Sequence, residues 1–213
     1  MMITLALIAA YLLGSLSGSL LLGRLRGVDI RTQGSGNAGG TNAFRTQGAA
    51  FALGTIAIDI GKGALAAWLA MWGGAATLDP PALRALGWAC AFATTVGHIW
   101  PVWHGFRGGK GAATAMGGVA LLWLQIAPAL LALWVLTLIL SGYAGLSTIL
   151  AGLALAAAAC MAPEVTEPLR PVFCIAFALL LLYTHRGNLQ RMRAGTESRF
   201  DKARLLHRLR RRA

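Results

Sequence analysis

The sequence predicts an all-α integral membrane protein with seven transmembrane segments, two of them short, its N-terminus outside and its C-terminus inside. Three observations predict this class: a composition too apolar for a soluble domain, apolar runs of membrane-spanning length, and a one-sided distribution of positive charge. Charged residues make up 12% of the chain and hydrophobic residues 57%, where a soluble domain carries about a quarter charged. The apolar runs cover roughly 3–23, 50–72, 83–102, 112–140, 144–161 and 170–184. Most are long enough, or nearly so, to cross a hydrocarbon core about 30 Å thick. No polar stretch could hold a core of its own, so one membrane domain is expected over 1–200, followed by a basic cytoplasmic tail at 201–213.

A net charge of +12 raises nucleic acid as a partner, but the distribution of the charge excludes it. Sixteen of the nineteen Lys and Arg residues fall in three segments. Arg24, Arg26, Arg31 and Arg45 follow the first run, Arg107 and Lys110 follow the third, and ten more lie beyond Tyr183. The positive-inside rule places all three segments on the cytoplasmic side, with membrane lipid as the partner of the tail.

Taken in order, the first run has no Lys or Arg before Arg24, so it lacks the basic start of a signal peptide and reads as a retained helix. Gly14 and Gly18, and Ser15 and Ser19, recur at four-residue spacing, which lets helices approach closely in lipid. In the second run Asp59 and Lys62 share a helix face; ionisable groups at membrane depth are costly unless paired, and structural pairing is favoured over a substrate contact. Cys90, Cys160 and Cys174 sit in apolar runs without ligand spacing, so neither a disulfide nor a metal is expected. The fourth run, 112–140, sets the parity. About 29 residues make about 43 Å of helix, long for one crossing but enough for two short ones. The break at Gln125 and Pro128 is the natural turning point, and two crossings there return the basic tail to the inside.

Three loops carry candidate chemistry. The first reads Gly34-Ser35-Gly36-Asn37-Ala38-Gly39-Gly40-Thr41-Asn42-Ala43-Phe44-Arg45. Glycines let backbone amides converge on an anion, Ser35, Asn37, Thr41 and Asn42 add side-chain donors, and Arg45 supplies a fork that fits phosphate. The second runs from Gly97-His98 to Gly108-Gly109-Lys110-Gly111-Ala112-Ala113-Thr114 and sets one lysine among glycines at the mouth of a helix, where amides favour phosphate. Its logic is that of a Walker loop, but its spacing is not. The third, Thr184-His185-Arg186-Gly187-Asn188-Leu189-Gln190-Arg191, leaves the membrane beside the other two. Two phosphate-type loops on one face call for two phosphorylated ligands or one large one.

Together these segments resemble the three signature motifs of the acyl-phosphate:glycerol-3-phosphate acyltransferases, the PlsY-type family of bacterial inner membranes. The resemblance spans residues 11–200 or so. Gly40, Leu189 and Met192 stand where the family usually has alanine, isoleucine and leucine. The resemblance implies transfer of a fatty acyl group from acyl phosphate to the 1-hydroxyl of glycerol 3-phosphate, giving lysophosphatidic acid and phosphate. It implies a multi-pass inner-membrane enzyme with a cytoplasmic active site, and no cofactor, metal or nucleic acid is expected; a monomer is expected. Lys110, Ser35, His185 and Asn188 are then the catalytic candidates. Gly34, Gly36, Asn37, Thr41, Asn42, Arg45, His98, Gly108, Gly109, Gly111, Thr114 and Thr148 are the binding candidates. Within these, Lys110 with Ser35, Asn188 and loop amides would hold the acyl phosphate, while Arg45, His185 and Thr148 would hold the glycerol phosphate. No triad is visible, so a substrate phosphate oxygen is expected to take the proton, with His98 or His185 as the competing base. Glu197 is expected to pair with nearby arginines. A transporter of phosphorylated metabolites is the rival reading; it would place charge near the midplane with access from both sides.

Overall fold

A computed structural model describes residues 1–162, 164–165 and 167–200; the expected tail at 201–213 lies outside the described residues. The fold is built of α-helices with two short 3-10 turns, and no strand occurs among the described residues. Helices α4 (Ala49–Gly74) and α8 (Ala144–Met161) are long and apolar enough to cross a membrane alone.

The first apolar run is not one helix. It forms α1 (Met2–Gly14) and α2 (Gly18–Leu25), bent by 46°. Ser17 is extended at the break, and the Gly14 and Leu16 carbonyls there accept hydrogen bonds from Lys62 Nζ, each at 2.8 Å. The Gly18 amide donates to Asp59 Oδ1 at 3.1 Å. A cation thus faces the C-terminal end of α1 and an anion the N-terminal end of α2, each matched to the helix dipole. Asp59 and Lys62 do form the expected pair, at 3.0 Å, but they also clasp the broken helix.

Backbone contact organises the first half of the bundle. α5 (Pro80–Ile99) begins at Asp79, whose carboxylate accepts from the Ala82 amide at 2.8 Å, with Pro80 and Pro81 in the first turn. A methyl on Gly14 would collide with the Thr94 carbonyl, and one on Gly97 with the Tyr11 carbonyl, so α1 and α5 pack through reciprocal glycines. Gly63 and Gly117 do the same between α4 and α6 (Ala112–Leu122).

The interruption expected in the fourth run is present. α6 ends at Leu122, and α7 (Ala127–Ser141) starts with Pro128 in its first turn. These are short apolar helices, about 16 and 22 Å long at 1.5 Å per residue. α8 then pairs with α7 and with α9 (Arg170–Thr184), which bends by 49° into the polar α10 (Arg186–Arg193). The amphipathic α3 (Gly40–Gln47) packs on α4.

One end of the bundle is tied by charge. Arg84 Nε donates to Glu167 Oε1 at 2.6 Å, and Trp88 Nε1 donates to Glu167 Oε2 at 3.0 Å. Arg170 pairs with Glu164 at 2.8 Å and lies 4.3 Å over the Trp123 ring. The same guanidinium groups reach the Leu122 and Ala162 carbonyls, at the C-terminal ends of α6 and α8, where cations complement the helix dipole.

Candidate active site

At the other end the three loops converge. Arg31 stitches the first loop to the second: it pairs with Asp29 at 2.7 Å and donates to the His104 carbonyl at 2.9 Å and the Arg107 carbonyl at 3.2 Å. The first loop is shaped from within by Asn42. Its Oδ1 accepts from the Ser35 amide at 2.9 Å, and its Nδ2 donates to the Ile30 and Gln33 carbonyls at 3.2 and 3.0 Å. With its side chain committed on both ends and 1% exposed, Asn42 is a clamp that presents Ser35. A methyl on Gly34 would strike Asn42 Oδ1, which explains glycine there without any ligand.

In the second loop Gly111, at φ +87°, turns the chain into α6. That conformation favours glycine, and no side chain caps the helix, so its first amides are open to an anion. Lys110 precedes this N-terminus. Its ammonium donates to Asn188 Oδ1, and its carbonyl accepts from Thr184 Oγ1 at 3.1 Å. Asn188 Nδ2 in turn donates to Glu197 Oε1 at 2.6 Å, and Arg191 Nε donates to Glu197 Oε2 at 2.6 Å. Burial, then the nearby Arg191, pulls the Lys110 ammonium down to about 8, so it is still charged for the most part at neutral pH.

His185 caps α9. Its Nδ1 lies 2.8 Å from the Leu181 carbonyl, which can only accept, so Nδ1 carries a hydrogen. Burial and then the Lys110 charge hold the ring down at about 4. The neutral ring therefore offers Nε2 as an acceptor. The expectation of a donor to glycerol phosphate is turned round: His185 is set to receive a hydrogen bond, and it is a weak base at neutral pH.

These groups frame a cavity of about 350 Å³. Its polar wall includes Ser35, Asn37, Thr41, Arg45, His98, Lys110, His185 and Asn188; its apolar wall includes Ile60, Met116, Val119, Leu130, Leu131 and Leu155. Gly111 and Thr148 also line it, whereas Gly34, Gly36, Gly108, Gly109 and Thr114 do not. Thr114 is fully buried with its carbonyl against Gly63, so it serves the α4–α6 contact and not the cavity. Thr148 donates to the Ala144 carbonyl at 3.0 Å and accepts from Trp134 Nε1 at 3.0 Å, which leaves its hydroxyl an acceptor for a ligand.

Two features of the site have no local signal in the sequence. Trp134, in the middle of an apolar run, lines the cavity and holds Thr148. The segment after α10 folds back over the mouth: the Phe200 amide donates to the Gly142 carbonyl at 2.8 Å, and Arg199 Nε donates to the Tyr143 hydroxyl at 2.7 Å. It brings Glu197 and Ser198 into the wall. Arg45 Nη2 donates to the Ser198 carbonyl at 3.1 Å, and its guanidinium lies 4.5 Å over the Phe200 ring. Glu197 meets Arg191 as expected and, in addition, the Asn188 amide.

The family described as glycerol-3-phosphate acyltransferase matches residues 4–195. A glycerol-3-phosphate acyltransferase of Shewanella baltica (strain OS155) is 40% identical over 202 residues, covering 93% of each chain. One from Shewanella oneidensis is 39% identical over 204 residues, covering 94% of each. The crystal structure of PlsY (YgiH), an integral membrane glycerol 3-phosphate acyltransferase, is similar in its glycerol 3-phosphate form with a TM-score of 0.85 at 30% identity, covering 96% of this chain and 98% of that one. Its lysophosphatidic acid form is similar with a TM-score of 0.82. Matched along nearly its whole length in sequence and in fold, this all-helical integral membrane protein belongs to the glycerol-3-phosphate acyltransferase family.

Proposed function

We propose that the protein transfers a fatty acyl group from acyl phosphate to the 1-hydroxyl of glycerol 3-phosphate, releasing lysophosphatidic acid and phosphate, in the first step of phospholipid synthesis. The observation that carries this reading is the division of the cavity into a cationic mouth and an apolar leg. A fatty acyl phosphate is divided the same way. One solved relative, in forms named for glycerol 3-phosphate and lysophosphatidic acid, supports the same substrate and product here. The rival transporter would need access to one site from both ends of the bundle; the family match and the relative's lysophosphatidic acid form support acyl transfer instead.

In the reaction, the hydroxyl oxygen bonds to the acyl carbon, the bond from that carbon to phosphate oxygen breaks, and phosphate leaves. Lys110, Ser35, Asn37 and the α6 amides hold the acyl phosphate and offset charge at its carbonyl oxygen. Asn188, itself held by Glu197, aims the Lys110 ammonium. Arg45 binds the glycerol phosphate after exchanging the Ser198 carbonyl for it, and Thr41 and Thr148 line the same space. His185 Nε2 accepts from the glycerol hydroxyl and orients it. A ring held at about 4 retains a proton less well than a phosphate monoester, whose second pKa is about 6. The hydroxyl proton therefore ends on a substrate phosphate oxygen.

We further infer a monomer in the bacterial inner membrane. Its seven crossings comprise α1 with α2, then α4, α5, α6, α7, α8 and α9, N-terminus out and C-terminus in, with the active site on the cytoplasmic face. The three basic segments carry this orientation. Reporter fusions after Gly48 and Gly74 should read inside and outside. The test of function is purified protein with acyl phosphate and labelled glycerol 3-phosphate, scored for lysophosphatidic acid. Counterflow uptake in vesicles without product would replace this reading by transport.

A further inference from the structure

His98 is 3% exposed and lines the cavity at the end of α5. Its Nδ1 lies 2.8 Å from Lys62 Nζ and 3.3 Å from Asp59 Oδ1. Lys62 Nζ also touches the Gly14 and Leu16 carbonyls at 2.8 Å and Asp59 Oδ1 at 3.0 Å. All of these oxygens only accept, and the carboxylate supplies the counter-charge, so this nest holds an ammonium with three hydrogens. Two of them go to the carbonyls. An ammonium has no lone pair, so a 2.8 Å contact between two nitrogens needs the third hydrogen between them, donated by Lys62. His98 Nδ1 is then an acceptor, and the ring's hydrogen must sit on Nε2.

Nε2 has no hydrogen-bond partner among the described residues. A methyl on Gly109 would strike it, so the missing side chain at 109 is what lets this nitrogen sit beside the Lys110 loop.

We propose that the buried Asp59–Lys62 pair positions the chemistry: it fixes His98 in the Nε2–H tautomer and so holds a neutral hydrogen-bond donor for an anionic phosphoryl oxygen of the acyl phosphate. Asp59 orients Lys62, Lys62 sets the tautomer, and His98 alone touches substrate. Without Lys62 the ring is free to turn its hydrogen toward Asp59 and present a lone pair to an anion, which repels it. The assignment of acyl phosphate rests on the function proposed above; the tautomer and its cause do not.

The first measurement needs no turnover. In protein labelled with 15N-histidine, the ring shifts of His98, assigned by their loss in His98→Gln, should show the protonated nitrogen at Nε2 in the wild type. They should show it at Nδ1 in Lys62→Met. Steady-state kinetics should show kcat/KM for acyl phosphate falling about tenfold to a hundredfold in Lys62→Met, with the KM for glycerol 3-phosphate little changed. A glutamine at 98 can bring an N–H to the place of Nε2 and an asparagine cannot reach it, so His98→Gln should keep about tenfold more activity than His98→Asn. This last comparison stands even if Lys62→Met fails to fold. A wild-type ring protonated at Nδ1, equal losses in the two His98 variants, activity lost in Lys62→Met with the tautomer unchanged, or an effect confined to the glycerol 3-phosphate KM would each overturn the proposal. Wild-type protein that makes no lysophosphatidic acid would remove the function and leave the tautomer and its dependence on Lys62 standing.

Discussion

Arg45, Lys110 and Arg191 line the cavity with Glu197 and with Asp59, which is already paired to Lys62, whereas Arg84 and Arg170 at the opposite end of the bundle meet both Glu164 and Glu167. The ends differ in what their cations touch. At the far end the guanidinium groups fill helix C-termini and carboxylates, and the only exchange a substitution can make is to leave a buried charge without its partner. At the mouth the Lys110 ammonium is held by a neutral amide, and neither it nor Arg45 has an ion pair among the described residues. A charge kept in place by neutral groups is available to a ligand; a charge met by its counter-ion is part of the frame.

The largest test of that contrast is Lys110→Ala. Activity should fall about a hundredfold or more, because one charge-assisted bond to phosphate is worth about 1.5–3 kcal/mol and is strengthened in a site shielded from water. Thermal unfolding in detergent should stay near that of the wild type. Glu167→Ala should behave in the opposite way: loss of one partner of a buried pair costs about 3–5 kcal/mol, seen as a lower Tm, while turnover measured well below Tm stays within about twofold. If Lys110→Ala unfolds the protein, or Glu167→Ala spares Tm and stops turnover, the contrast between the two ends is wrong.

How much of this could be read beforehand follows the range of the interactions involved. The three loops, the break at Gln125 and Pro128, and the burial of Asp59 with Lys62 announce themselves within a few residues of chain. The break in α1–α2 does not. Gly14 to Ser19 are mostly weak helix formers, yet nothing local says that the Gly14 and Leu16 carbonyls open, and what they open to is a lysine 46 to 48 residues further on. Asn42 and Thr114 sit inside donor-rich motifs, yet one folds the loop and the other packs a helix; motif membership does not say which way a side chain points. Glu197 and Ser198 reach the mouth only because the chain turns back along Tyr143 and Gly142.

Smaller effects sharpen the description of the mouth. His185→Gln should raise the KM for glycerol 3-phosphate about tenfold, the order of one lost hydrogen bond, with most of kcat retained. A collapse of kcat with KM unchanged would make His185 the base after all. The pH profile is the mildest probe. Lys110 is charged below about 8 and loses its charge above it, so kcat/KM for acyl phosphate should decline through that range. In Lys110→Arg, already slower because a fork replaces a point charge, the alkaline decline should disappear from the accessible range, since a guanidinium does not titrate there. A wild-type profile flat to about pH 9.5 would mean that another group holds the phosphate.

The opened carbonyls of Gly14 and Leu16 have a consequence for how the chain enters the bilayer. Each exposed carbonyl costs several kcal/mol in hydrocarbon, and so does a lysine at membrane depth. α1 on its own can avoid that cost by staying one continuous helix; α4 on its own can offer Lys62 only Asp59, which leaves two of the ammonium's hydrogens without the carbonyls of α1. The two serve as solvent for each other, so the kink is made only when α4 arrives beside α1. A chain begun at residue 49 should then hold α4 in the membrane poorly, and co-expression of residues 1–48 should restore it, as protease protection of α4 would report. The first helix is in this sense synthesised straight and finished later, by a residue translated well after it.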